Sequence, residues 1–356
     1  MRPTEAAREA ARNLRAGVGA SAWIAVILIA LLAGAVILPQ LALRDADARA
    51  NAYQAAGAAT LVVQAEGRID GEQCDAFAAL PNVVAAGAVR ERASGTKLTL
   101  LPRTSARYFE ATPGLADVLD ADRNGGGLLL SSEVSDALGW SPGQSLLLDG
   151  TQAPVAGTFR YPDDGRLPAF SFAVIAETMS QGRFDECWIT VWPQTDAVES
   201  LASLAVVEGS GGDGAGSGLK LVSANSSLGA RFDVGPLAAV WTYAAAVCGV
   251  LAAVVALLFV RARRLELASA RHVGVRRSDQ LATLLLEVAV LLGLALLIVS
   301  PVALYLSLTA GASTTSSLHW YALRGVCAVL GGVVLGTVLG WASVRESHLF
   351  RYFKER

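Results

Sequence analysis

Residues 237–260 read LAAVWTYAAAVCGVLAAVVALLFV, a run without a single charge. A helix rising 1.5 Å per residue crosses a bilayer with about 20 apolar residues, so this stretch is long enough to span one. Three more windows are comparable. Residues 22–43 carry Pro39 near one end, 281–308 are interrupted by Glu287 and Pro301, and 321–342 have Arg324 at their start. Composition agrees: the chain is 53% hydrophobic and only 17% charged, where a soluble domain has about 25%. The expected fold is a membrane protein, with four transmembrane α-helices and an α+β extracytoplasmic domain inserted between helices 1 and 2. The first window is longer than the roughly 7–15 residues of a signal-peptide core, which favours a retained helix. An Ala-Leu stretch near Leu41 keeps a cleaved signal peptide as the alternative.

Lys and Arg in short loops set orientation. Arg2, Arg8, Arg12 and Arg15 precede the first window. Six arginines from Arg261 to Arg277 lie between the second and third, and Arg345, Arg351, Lys354 and Arg356 follow the fourth. The segment 309–320 has no Lys or Arg. Both termini are therefore expected in the cytoplasm of a cell (plasma) membrane protein, with 44–235 outside. The resulting division is a cytoplasmic amphipathic N-terminal helix (1–20), first span (21–43), extracytoplasmic domain with stalks (44–235), second span (236–260) and cytoplasmic loop (261–280). The third span (281–308), a short outer loop (309–320), the fourth span (321–343) and a cytoplasmic tail (344–356) follow.

The outer segment 44–235 holds 24 acidic and 14 basic residues, a net charge of −10. An acidic surface keeps an exported domain soluble, and it also attracts cationic ligands such as basic peptides. The pattern predicts a helical stalk over 50–58 and strands over 60–65, 83–89, 97–101, 143–148, 154–159, 170–176, 188–192 and 219–222. Helices are expected over 71–80, over 131–138 with Ser131 or Ser132 as cap, and over 195–204. The arrangement suggests two small lobes. Residues 209–218 are nearly all Gly, Ser and Asp and read as a flexible linker.

Of the four cysteines, Cys248 and Cys327 fall within spans. Cys74 and Cys187 are the outer pair. In an oxidising compartment they read as a disulfide, with two buried free thiols as the alternative. Catalytic signatures are missing. There is no GxxxxGK[ST] loop, GxSxG or HExxH, and His272, His319 and His348 are scattered along the chain. The Ser131-Ser132-Glu133 run invites an enzymatic reading, but a helix cap explains it. Gly125-Gly126-Gly127 precedes a strand and forms no nucleotide cradle. No metal site and no nucleic-acid binding are expected, and the chain is read as non-catalytic.

On the cytoplasmic side, residues 4–16 form an amphipathic helix with charges on one face and Ala6, Ala7, Ala10, Ala11 and Leu14 on the other, suited to the lipid interface. The second loop reads as a helix continuing the second span, stopped by Gly274, with a new helix starting near Ser278-Asp279. A charged helix end projecting from the bilayer can dock a soluble partner. Glu287, about two turns into the third span, should face protein or water, or else lie at the interface and snorkel.

One span, a large outer domain and three more spans resemble the layout of the FtsX/MacB-like permeases, the type VII ABC transporters. Arg264, Glu266, Ala268, Arg271 and Gly274, followed by Glu287, resemble that family's R-x-E-x-A-x-x-R-x-x-G pattern and its later acidic residue. Residues 5–15 resemble its interfacial helix, and 128–159 part of its outer core domain. His272 and Val273 replace a commoner small apolar pair, and the Cys pair and Gly-rich linker are not general family features. The resemblance implies a permease subunit moved by a separate ATPase dimer that holds ATP and Mg. It implies docking through Arg263, Arg264, Glu266, Arg271, His272 and Gly274. A second permease chain, identical or paralogous, and an outer protein or peptide partner would complete the assembly. The alternative is a membrane-anchored binding or sensor protein without an ATPase.

Overall fold

The computed structural model describes residues 8–13, 16, 21–92, 96–97, 105–140, 144–148, 151–195, 200, 202–207, 220–229, 231–232, 235–310 and 312–344. These fall into two units, Met1–Arg49 with Val234–Arg356, and Ala50–Asp233.

The first unit is built on four helices long and apolar enough to cross a membrane: Ser21–Ala55, Gly235–Ala262, Arg277–Leu308 and Ala312–Ser343. The chain is a multi-pass membrane protein. The first helix is longer than its apolar run and continues without interruption into the expected stalk, ending at Ala55. The fourth begins at Ala312, so most of the expected outer loop 309–320 is helical. Its early turns are Ser/Thr-rich, which hides their helicity from a hydropathy reading. Leu28, Leu32 and Val36 of the first helix pack with Leu284, Val288, Leu291 and Ala295 of the third. The second and fourth helices meet through small residues. A Cβ on Gly332 would run into the Gly249 carbonyl, and one on Gly336 into that of Ala253. Glycine here lets two backbones approach, as is common where no hydrophobic effect drives helices together in lipid.

The second unit is one mixed sheet with short helices. Its strands are β1 (Thr60–Asp70), β2 (Val83–Glu91), β3 (Thr96–Lys97), β4 (Ser105–Ala111), β5 (Asp122–Arg123), β6 (Leu128–Ser131), β7 (Ser145–Leu148), β8 (Thr151–Phe159), β9 (Ala173–Glu177), β10 (Arg183–Val191) and β11 (Lys220–Ser223). The order is β11-β1-β10-β2-β4-β9-β6-β8-β5, with β3 beside β4 and β7 beside β8. Only β4/β9 and β6/β8 run parallel among the described pairs. One continuous sheet thus replaces the two lobes expected. Of the helix expected over 195–204, residues 196–199 and 201 lie outside the described residues; Ser200 and Ala202 are helical and lead into a 3-10 turn over Ser203–Ala205. The expected linker 209–218, residues 98–101 of the strand expected over 97–101 and the expected tail 345–356 also lie outside them.

Successive residues of a strand face opposite sides of a sheet, and β10 uses this fully. Cys187 sits with Cys74, Ile69, Phe77 and Phe184 in one core. Trp188 sits in the other with Phe109, Phe159 and Phe170, where Phe170 contacts all three rings at 4.9–6.5 Å between centroids. Cys74 and Cys187 form a disulfide.

Candidate functional site

The second spanning helix ends at Ala262, and a separate short helix, Arg264–His272, follows it. The uninterrupted continuation expected from the sequence is therefore broken at Arg263, whose φ of −97° and ψ of 14° are not helical. The loop helix stops at Gly274 as expected. Gly274 adopts φ +95°, its N–H donates to the Arg271 carbonyl, and the Val275 N–H reaches back to that of Ala270. That pair of bonds is the Schellman stop, which needs a residue in the left-handed region and so favours glycine.

Two buried arginines hold this loop. The Arg271 guanidinium donates through Nε to Gln280 Oε1 at 2.8 Å and through its terminal nitrogens to the carbonyls of Val344 and Trp341. It also lies over the Trp341 ring at 5.8 Å. Gln280 in turn donates to the Leu267 carbonyl at 2.9 Å. The loop helix, the start of the third span and the end of the fourth are thereby locked together. Arg263 donates to Glu287 and, through Nε, to Glu266 at 3.1 Å, and it covers the Phe259 ring.

Glu287 is 1% exposed, so it faces protein and does not snorkel. Asn13 Nδ2 donates to its second oxygen at 2.6 Å. Residues 8–13 are helical, with Ala10 buried and Arg12 paired to Glu9 at 3.4 Å. The rest of the expected helix over 4–16 lies largely outside the described residues.

These positions redistribute the roles expected of the loop. Arg263 and Arg271 were expected on a docking face. Both are buried and spent on internal partners, because a guanidinium beside a membrane is stabilised by saturating its donors inside the protein. Arg264 is half-buried. What the loop presents outward is Glu266, His272, Gly274, Arg276 and Arg277, with Val273 85% exposed at the turn. The roles of Asn13 and Gln280 were not legible in the sequence, and Trp341, an aromatic near a span end, packs under Arg271. A lone amide among Ala and Arg, and a lone amide at the start of a span, were the available signals.

In the outer unit, Ser131 is buried and its Oγ accepts from the N–H groups of Val134 and Ala173, so it caps the helix Ser132–Leu138. A groove of about 780 Å³ lies on the sheet between Gln64, Glu91, Arg107, Asp185, Glu186 and Lys220. Its hydrogen bond with Arg107 holds the Glu91 carboxyl below the usual range, and Arg90 does the same for Glu110. Burial pushes the Tyr161 hydroxyl upward. Among the described residues no cluster of His, Cys, Asp and Glu could hold a metal ion.

No family model matches the chain, and no curated protein matches it. Solved structures similar to it include two outer domains. One is the periplasmic region of MacB from Actinobacillus actinomycetemcomitans, 12% identical over 43% of this chain and 85% of that one, with a TM-score of 0.32. The other is the extracellular domain of the noncanonic ABC-type transporter YknZ from Gram-positive bacteria, 12% identical over 41% of this chain and 90% of that one, with a TM-score of 0.29.

Proposed function

We propose that this chain is the permease subunit of an ABC transporter of the FtsX/MacB-like type, with an ATPase as a separate subunit. ATP binding and hydrolysis in that partner, with Mg, would push on the loop between the second and third spans and so move the outer domain, without a substrate path through the bilayer. The observation that carries this reading is the build of the loop. A short helix is fixed to the ends of two spans by Arg271, while Val273 stands outward at its tip, 85% exposed between His272 and Gly274. A rigid mount under an exposed apolar side chain is what a force-transmitting docking point requires, since a contact on a slack loop would lose the push in bending. An exposed apolar side chain on a loop that also presents Glu266, Arg276 and Arg277 has the form of a docking point with a polar rim. The layout of one span, an outer domain and three spans supports the same reading.

In this arrangement both termini are cytoplasmic in the plasma membrane and residues 44–235 are outside. Two ATPase subunits call for two permease chains, in a homodimer or a paralogous heterodimer embedded in membrane lipid. The outer domain would act on an extracytoplasmic protein or peptide. Glu266, His272, Val273 and Gly274 form the docking face, and Arg263, Arg264 and Arg271 support it.

The test is affinity purification of the tagged full-length chain in mild detergent from its native host, with mass spectrometry of what accompanies it. A stoichiometric ATPase is the expected result. Reproducible purification without one, with an ATP analogue present, would overturn the proposal in favour of an anchored binding or sensor protein.

A further inference from the structure

Three segments that are separate in the sequence converge on one carboxylate. Glu287 lies about three turns into the helix Arg277–Leu308. One oxygen accepts from Arg263, at the break between the second span and the loop helix. The other accepts from Asn13 at 2.6 Å, on the N-terminal helical residues. A buried carboxylate that loses its donors is strongly unfavourable, so such a contact is either made or broken and has no stable halfway state.

Arg263 is placed to make this contact selective. Its backbone lies at the non-helical joint, outside both helices, so its side chain can change partner while Arg271 keeps the loop helix fixed to the spans. Its guanidinium also has a second carboxylate to hold, Glu266 at 3.1 Å, whose side chain is 58% exposed against 1% for Glu287. A cavity of about 240 Å³ lined by Glu9, Asn13, Arg263, Glu266, Asp279 and Glu287 gives the Arg263 side chain room to move.

We propose that Asn13–Glu287–Arg263 is a latch that clamps the N-terminal helix to the loop, so that the two move as one body while it is closed. Displacing Arg263 toward Glu266 opens the latch and frees the N-terminal helix ahead of the first span. Asn13 and Glu287 are positioning residues in this device. Its bearing on ATP coupling rests on the permease reading; the clamp itself does not.

The test uses the full-length chain alone in lipid nanodiscs, so the result is independent of whether an ATPase binds. Spin labels are placed at Arg12→Cys and Ser269→Cys, with Cys248 and Cys327 replaced by Ala, and the distance distribution is measured by pulsed electron resonance. A second label pair, Val290→Cys and Leu335→Cys, reports on the spans. The parent should give one narrow distance for each pair. Asn13→Ala, which leaves the Arg263–Glu287 pair in place, and Glu287→Gln, whose amide puts an NH2 donor where one of the two accepting oxygens stood, should each at least double the width for the first pair only. An unchanged first pair in Asn13→Ala overturns the latch. Equal widening of both pairs in Asn13→Ala overturns it too, because the effect would then be general loosening. If Glu287→Gln fails to fold, Asn13→Ala decides.

Discussion

Replacing both Cys74 and Cys187 by Ala removes a cross-link between residues 113 apart in sequence. In the chain-entropy description, a loop of this size costs the cross-linked unfolded chain roughly 5 kcal/mol of conformational freedom that the reduced chain keeps. The native side of the balance changes little. Cys74 sits on the short helix Gly71–Ala76, and Cys187 on β10, which pairs with both β1 and β2. Both are fully buried among Ile69, Phe77 and Phe184, so two lost sulfur atoms add a further cost of about 1–2 kcal/mol for the small cavity left. A domain of this size loses roughly 2–4 °C of melting temperature per kcal/mol, so the outer domain should melt roughly 12–28 °C lower. The assay is thermal unfolding of the full-length chain in detergent followed by tryptophan fluorescence. Trp188, in the aromatic cluster on the opposite face of β10, reports loss of the sheet. Dithiothreitol should bring the parent most of the way down to the variant's midpoint, short of it by the cavity cost that only the variant carries, and leave the variant unmoved. A double variant melting within about 3 °C of the parent would contradict the entropic account, since it would mean the cross-link does not restrict the unfolded chain. A pair found reduced in protein from the native host would contradict the placement of residues 44–235 outside the cell.

Under the proposed function, Glu266→Lys should abolish copurification of the proposed ATPase partner while leaving membrane insertion and yield unchanged, and full retention of that partner would remove Glu266 from the docking face. Val273→Asp should weaken the same association by on the order of 2 kcal/mol, roughly thirtyfold, measured by titrating the ATPase onto the chain in nanodiscs. Ser131→Ala should lower the outer domain's stability by about 1 kcal/mol through loss of a helix cap and leave function intact; loss of function without loss of stability would revive a catalytic role for this serine. The outer domain should lose stability on acidification. Glu91 and Glu110 are held below the ordinary carboxylate range by Arg107 and by Arg90, so their contribution is present above the unfolded-state value near pH 4 and is lost as the pH falls through the lower folded-state values. Melting temperatures between pH 7 and pH 3 test this, and Glu91→Gln with Glu110→Gln should flatten the curve.

What the sequence disclosed follows from the length scale of each signal. Four spans and an inserted mixed domain are visible because about 20 apolar residues in a row seldom occur in a chain that stays in water. Strands β1, β2, β8, β10 and β11 were legible from β-branched or alternating runs bounded by turn residues. β4, SARYFEA, was not, because its polar positions are satisfied by cross-strand partners, Arg107 to Glu91 and Glu110 to Arg90, that a single-strand pattern cannot show. The start of the fourth spanning helix was obscured by Ser and Thr for a related reason: helicity and hydropathy part company where a helix meets polar surroundings.

The loop exposes the sharper limit. Arg263 and Arg264 are neighbours with identical chemistry, and motif spacing picks out Arg264. Yet 100° of helical rotation separates adjacent side chains, and the chain breaks its helix at Arg263, which turns inward to Glu287. Which arginine is buried depends on where a carboxylate from the third span and an amide from the N-terminal helix happen to meet it. Residues 274 and 24 positions away from Glu287 decide its environment, and no local window contains them. A reading of sequence can therefore mark the loop as a site. Assigning its side chains to docking or to internal support requires knowing which donors the fold has already consumed. That difference is functional: Glu266→Lys should act at the surface, whereas a change at Arg263 or Arg271 should act through the shape of the mount.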